Sequence, residues 1–138
     1  MAGKIRLGIV MSRFNLKITS AMLREAIRLA EMKGAKVQKV VEVPGAYEIP
    51  FAAAALLARR DIDAVATVGA VIKGGTKHDE AIMPAVCLSL SSLSLKYEKP
   101  VGLGVIGPGA TESAAKARVK DYARRAIDAA LYMARLEI

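Results

Sequence analysis

Gly69-Ala70-Val71-Ile72-Lys73-Gly74-Gly75-Thr76-Lys77-His78 is the stretch on which the reading of this chain turns. Its first four residues close an apolar run that begins at Ala64 and carries no charge, the pattern of a strand covered on both faces. Two glycines break the run. Beyond them Ile82, Val86, Leu90, Leu93 and Tyr97 recur at helical spacing, which predicts a long helix from about Asp79 to Tyr97. A buried strand passing through a glycine turn into a helix is the repeating unit of a parallel α/β sheet. The turn also holds His78, the only histidine of the chain. Strand-to-helix turns of this kind expose backbone N–H groups that suit an anionic ligand.

Working outward, the same alternation extends to both termini. Ile5 to Met11 reads as a first buried strand, and from about Thr19 the residues Met22, Leu23, Ala26, Ile27 and Ala30 mark one face of a helix. Thr19 or Ser20 is expected to cap it, and Gly34 to stop it in a left-handed conformation. Val37 to Val43 is a second strand, with Gln38, Lys39 and Glu42 suggesting an edge position. Pro50 suits a first helical residue, and Phe51 to Leu57 is apolar all round, so burial on several sides and a subunit interface are expected there. Pro84 either kinks the long helix or delays its regular part to near Met83. Val101 to Ile106 is a fourth strand closed by Gly107-Pro108-Gly109. A last helix runs from Thr111 to about Arg135 with Ala115, Val119, Tyr122, Ala126, Ala130 and Met133 on one stripe. Four strands alternating with four helices predict one three-layer α/β sandwich domain over residues 1–138. Its four-stranded parallel sheet is flavodoxin-like in outline.

Composition agrees with that class. Of 138 residues 54% are hydrophobic and tryptophan is absent, so the core must be built from Ala, Val, Ile, Leu and Met. The net charge of +8 is spread along the chain, and no basic run is interleaved with aromatics, which disfavours nucleic acid as a partner. Cys87 is the only cysteine, which leaves no internal disulfide and no spaced metal site, and fits a reducing cytoplasm. Met1 to Lys4 is too short for a signal peptide, and Ile49 to Ala58 is about half the length of a membrane span, so no membrane role is expected.

In open α/β sheets ligands bind beyond the carboxyl ends of the strands. Here those four loops carry Arg13-Phe14-Asn15, then Gly45, Tyr47 and Glu48, then Gly74 to His78, and then Gly107, Gly109 and Thr111. The opposite loops, such as Arg59-Arg60-Asp61, are ordinary charged connectors. Thr76-Lys77-His78-Asp79 fits a capping pattern that would seat a phosphate on the first helical turn, with His78 beside it as a proton relay. A surface histidine on a chance capping pattern reads equally well. Phe14 can stack on a planar heterocycle or anchor its loop, Glu48 can bind a polyol or complement a helix end, and Arg118 can reach a phosphate or stand in solvent. No Walker loop and no dinucleotide fingerprint is present.

Arg13-Phe14-Asn15, Val43-Pro44-Gly45-Ala46-Tyr47-Glu48-Ile49-Pro50 and Gly69 to His78 resemble, in order and spacing, the three signature loops of the 6,7-dimethyl-8-ribityllumazine synthase family. Pro100 to Val105 is similar to its fourth strand, and Gly107-Pro108-Gly109 to its archaeal branch. The resemblance implies a cofactor-free, metal-free condensation of 5-amino-6-(D-ribitylamino)uracil with 3,4-dihydroxy-2-butanone 4-phosphate. It implies that Phe14 stacks on the pyrimidine, that Ala46, Tyr47 and Glu48 hold the ribityl chain, and that Ala70, Val71 and Ile72 line the pyrimidine pocket. Gly75, Thr76 and a neighbour's Arg118 would hold the phosphate, Leu103 of a neighbour would close the pocket, and His78 would move protons. Active sites between subunits of a homopentamer, or of a pentamer-based shell, come with the family.

The chain departs from the family pattern in places. Lys73 replaces a usual arginine, Asp79 and Leu103 stand where aromatics are frequent, and Ser113 to Arg118 keeps only the alanine and arginine of Glu-Gln-Ala-x-x-Arg. An archaeal riboflavin synthase of the same fold should lack the loop from Gly75 to His78. A flavin- or lumazine-binding module would need no titratable group there.

Overall fold

The computed structural model describes residues 3–74 and 78–138. In chain order they form β1 (Arg6–Ser12), α1 (Leu16–Met32), β2 (Lys36–Val43), a 3-10 turn (Ala46–Glu48), α2 (Ile49–Leu57), β3 (Ala64–Ile72), α3 (His78–Tyr97), β4 (Val101–Ala110), α4 (Glu112–Ala117) and α5 (Val119–Ala134). The strands make one parallel sheet in the order β2-β1-β3-β4. β3 lies inside it and is buried from Ala64 to Val71, as its unbroken apolar run demands, while the more polar β2 takes an edge.

Each face of the sheet has its own core. On one side Leu7, Ile9, Met22, Ile127 and Leu131 pack between the sheet and α1 with α5; on the other Val10, Ile49, Leu57, Val65 and Val86 pack under α2 and α3. Full burial of each such side chain is worth about 1.5–3 kcal/mol. With few aromatics available, many medium-sized aliphatic contacts do this work.

Several expectations change. α1 begins three residues before Thr19, because Asn15 adopts a left-handed φ of 64° and presents its carbonyl to the N–H groups of Ile18 and Thr19 at 2.9 and 3.0 Å. Thr19 is buried on the core face and caps nothing. Gly34 does take the left-handed stop, with φ of 81°. α3 runs through Pro84; Glu80, whose carbonyl loses its helical partner there, is an exposed residue. Within one chain α2 turns Ala52, Ala53, Leu56 and Leu57 inward and leaves Phe51 84% exposed, the side on which the expected subunit interface would lie. β4 continues through Gly107-Pro108-Gly109 to pair Ala110 with Ile72. Its crossing is close enough that a Cβ at Gly107 would lie 2.4 Å from the Val71 carbonyl oxygen. The last helix is two, divided at Arg118, whose φ of −103° and ψ of 3° leave the helical region.

At the amino ends of the strands, Asp63 accepts from the Arg6 backbone N–H at 2.7 Å and from its Nε and Nη2 at 3.0 Å each. Hydrogen bonding to Arg6 holds the Asp63 carboxyl below its ordinary value of 3.8. A depressed native pKa means that this stabilisation is present above 3.8 and is lost as pH falls through the lower native value. Asp63→Asn should therefore lower the melting temperature by a few degrees at neutral pH, since half of the pair is solvent-screened. Melting curves at successively lower pH should show the gap to wild type closing; a gap that persists unchanged in acid would refute the assignment.

Candidate active site

The carboxyl end of the sheet is where the chemistry-bearing loops meet. Arg13 N–H donates to the Val43 carbonyl at 2.8 Å and Phe14 N–H to the Pro44 carbonyl at 3.0 Å, so the loop after β1 is zipped onto the loop after β2. Asn15 Nδ2 donates to the Ala70 carbonyl at 3.0 Å and ties the first loop to the end of β3 as well. Between these elements lies a cavity of about 220 Å³. The first loop lines it with Phe14 and Asn15, the turn after β2 with Ala46, β3 with Ala70, Val71 and Ile72, and α3 with His78, Asp79 and Ile82.

The Phe14 ring is 68% exposed, and it is seated on Gly45. Gly45 has an extended backbone that any residue could adopt (φ −140°), so glycine is needed there for clearance. A Cβ would stand 2.8 Å from Phe14 Cδ2 and 3.2 Å from Glu48 Oε1. Glu48 Oε1 also accepts from the Gly45 N–H at 3.0 Å, which fixes the turn that carries Ala46 and Tyr47. One carboxylate oxygen of Glu48 thus caps its own turn, as the structural reading of this residue expects.

His78 is the exposed first residue of α3, with Asp79 and Glu80 behind it in a first turn whose positive end favours acids. Gly75 and Thr76, assigned to the phosphate seat, lie outside the described residues, and so does the Thr76 end of the capping pattern. Tyr47 is not among the residues that line this cavity; it lines a separate depression with Pro50, Ala85 and Ser89. Leu103 lines another cavity, of about 420 Å³, with Met83, Pro84 and Val105. Arg118, at the C-terminal end of α4, is exposed and lines neither. One chain thus brings together Phe14, Ala46, Ala70, Val71, Ile72 and His78, and holds Leu103 and Arg118 apart from them.

A larger open depression of about 540 Å³ lies at the opposite end, between Lys33 and the end of α5. It is edged by charged surface side chains such as Asp128, Arg135 and Glu137 and receives none of the strand-to-helix loops. Among the described residues no three His, Cys, Asp or Glu side chains are grouped to hold a metal ion.

The family model for 6,7-dimethyl-8-ribityllumazine synthase matches residues 4–137. The chain belongs to the lumazine synthase family. Proteins named 6,7-dimethyl-8-ribityllumazine synthase from Staphylothermus marinus and Metallosphaera sedula are 54% and 53% identical to it over 128 and 131 residues. Those alignments cover 93% and 95% of this chain and 85% and 87% of the relatives. A protein of the same name from Pyrobaculum neutrophilum is 47% identical over 131 residues, 95% of this chain and 87% of its own length. Within this lumazine synthase family chain, no helix among the described residues is long and apolar enough to cross a membrane.

Sequence reasoning gave Asn15 no role of its own and overlooked Asp79 and Ile82 as cavity walls. Asn15 carried a signal, a short amide between a strand and a helix where a left-handed residue fits. Ile82 carried another, one helical turn after His78.

Proposed function

We propose that this chain catalyses the condensation of 5-amino-6-(D-ribitylamino)uracil with 3,4-dihydroxy-2-butanone 4-phosphate to 6,7-dimethyl-8-ribityllumazine, a step of riboflavin biosynthesis. The observation that carries the reading is the convergence of Phe14, Ala46, the end of β3 and His78 on one cavity in a chain of this family. The amine of the uracil attacks the ketone and water leaves to give an imine. Loss of phosphate follows, and ring closure by the ribityl-bearing nitrogen expels a second water. The protein's part is to hold both substrates in contact and to move protons between nitrogen, carbon and oxygen.

Phe14 supplies the stacking face for the pyrimidine, and Ala70, Val71 and Ile72 its edge contacts. Ala46, Tyr47 and Glu48 take the ribityl hydroxyls, Tyr47 through its backbone because its side chain lines a separate depression, and Glu48 through the oxygen not engaged by Gly45. Gly75 and Thr76 seat the phosphate, and His78 relays protons. Arg118 and Leu103 act on the site of an adjacent copy. Their distance from the cavity of their own chain supports that division, as does the exposed apolar surface at Phe51, Leu88, Leu95 and Leu103, which a neighbouring subunit would cover. The assembly is a homopentamer or a shell built of such pentamers, and sedimentation separates these from each other and from a monomer.

Supplying both substrates and following phosphate together with the fluorescent lumazine tests the reaction. Matched release above the spontaneous rate is expected, and its absence would remove the proposal. Gly45→Ala should push the Phe14 ring from its seat and raise KM for the uracil by about tenfold, the worth of one stacking contact. Steady-state kinetics in which only the phosphorylated substrate is affected would contradict that role. Arg118→Ala should raise KM for the phosphorylated substrate by about tenfold, as expected for a charge-assisted hydrogen bond; an effect confined to the uracil would misplace it.

A further inference from the structure

Asp79 is the one ionisable residue among the described residues that is buried, at 7% exposure. A carboxyl group taken from water is costly unless it is hydrogen-bonded, so its partner shows what it holds. Asp79 Oδ2 accepts from the Gly109 N–H at 3.0 Å, reaching across 30 residues from the first turn of α3 to the last stretch of β4. That stretch is itself fixed: the Lys73 N–H donates to the Ala110 carbonyl at 2.8 Å, and Gly109 adopts a φ of 78°. Asp79 also follows His78 directly and lines the same cavity.

His78 is the first residue of α3, and the first buried apolar side chain of that helix is Met83, more than a turn further on, while Ile82 packs against the core only in part. Packing therefore secures the body of α3 and does not by itself locate its first turn. The contact from Asp79 to Gly109 does. We propose that Asp79 is a positioning residue for the proton transfer assigned to His78, holding the first turn of α3 against the end of β4 so that the imidazole stays at a fixed place on the cavity wall. The proposal rests on the reading of His78 given above. It concerns the alignment of a reacting group and involves no contact between Asp79 and the proton being moved.

The test compares Asp79→Ala, Asp79→Glu and Asp79→Asn with His78→Ala and the double variant His78→Ala/Asp79→Ala, each as the assembled protein. Asn presents an amide oxygen at the same place and should keep kcat within about twofold of wild type. Ala, and Glu with its oxygen displaced by one methylene, should lower kcat by about tenfold with both KM values little changed, as expected of a misaligned reacting group. In the double variant the loss should be no larger than in His78→Ala alone, because a misplaced group that is absent costs nothing further. Should Asp79→Ala fail to assemble, Asp79→Glu against Asp79→Asn carries the comparison. Undiminished kcat in both Ala and Glu variants, or losses that multiply in the double variant, would overturn the positioning role while leaving His78 in place. A His78→Ala protein with wild-type kcat would overturn both readings together.

Discussion

Gly102→Ala is expected to destabilise the fold by at least about 3 kcal/mol, near the top of the range for overpacking a core. A Cβ at Gly102 would stand 1.9 Å from the carbonyl oxygen of Ala126 and 2.8 Å from its carbonyl carbon. Both atoms are backbone and neither can rotate away. α5 lies directly on β4 because Gly102 and Gly104 leave room beneath it and Ala123 and Ala126 add little bulk from above. Relief would require the whole helix to rise from the sheet, opening a gap along the core that also includes Ile106, Ile127 and Leu131. Urea unfolding at fixed protein concentration measures the effect. A loss below about 1 kcal/mol would mean that the helix is not seated as described.

His78→Ala should lower kcat by about tenfold, less than the hundredfold or more often lost with a general acid–base group, because holding two substrates together supplies most of the rate. The residue is exposed and begins its helix, so its loss leaves no cavity in the core and the assembly should survive. KM for either substrate should change little, since Phe14, Ala46 and the end of β3 remain. Stopped-flow turnover of the variant at saturating substrates decides the matter. An unaltered kcat would take His78 out of proton transfer while leaving the cavity intact.

The sheet was legible because β3 advertises itself: nine residues from Ala64 to Ile72 without a charge permit one environment only. The contrast between the four chemistry-bearing strand-to-helix loops and the plain charged loops opposite them set the working end. What the sequence hid was mostly local. Asn15 opens α1 through a left-handed backbone, a choice that the stronger hydrophobic period beginning at Met22 masked. Pro84 stays inside α3 because it sits on an exposed side, and exposure is not written in the residue itself. β4 runs past Ile106 because Gly107 tolerates a close approach to Val71, whereas Gly107-Pro108-Gly109 read alone signals a stop. Of the site, the residues near in fold but far in sequence were the visible ones when they had distinctive chemistry, as with Phe14 and His78. Asp79 was not, since its partner is a backbone N–H and no sequence pattern marks one.

In the function proposed here, catalysis takes place at a site completed by two neighbouring copies of the chain. Refolding His78→Ala and Arg118→Ala proteins together in equal amounts, and assaying at low concentration of the phosphorylated substrate, tests it most directly. Random assembly of a ring in which each site joins two copies pairs an intact His78 with an intact Arg118 in about a quarter of the sites. Activity of the mixture should then rise well above that of either variant alone. Activity equal to the mean of the two variants would contradict the shared site and return both residues to a single chain.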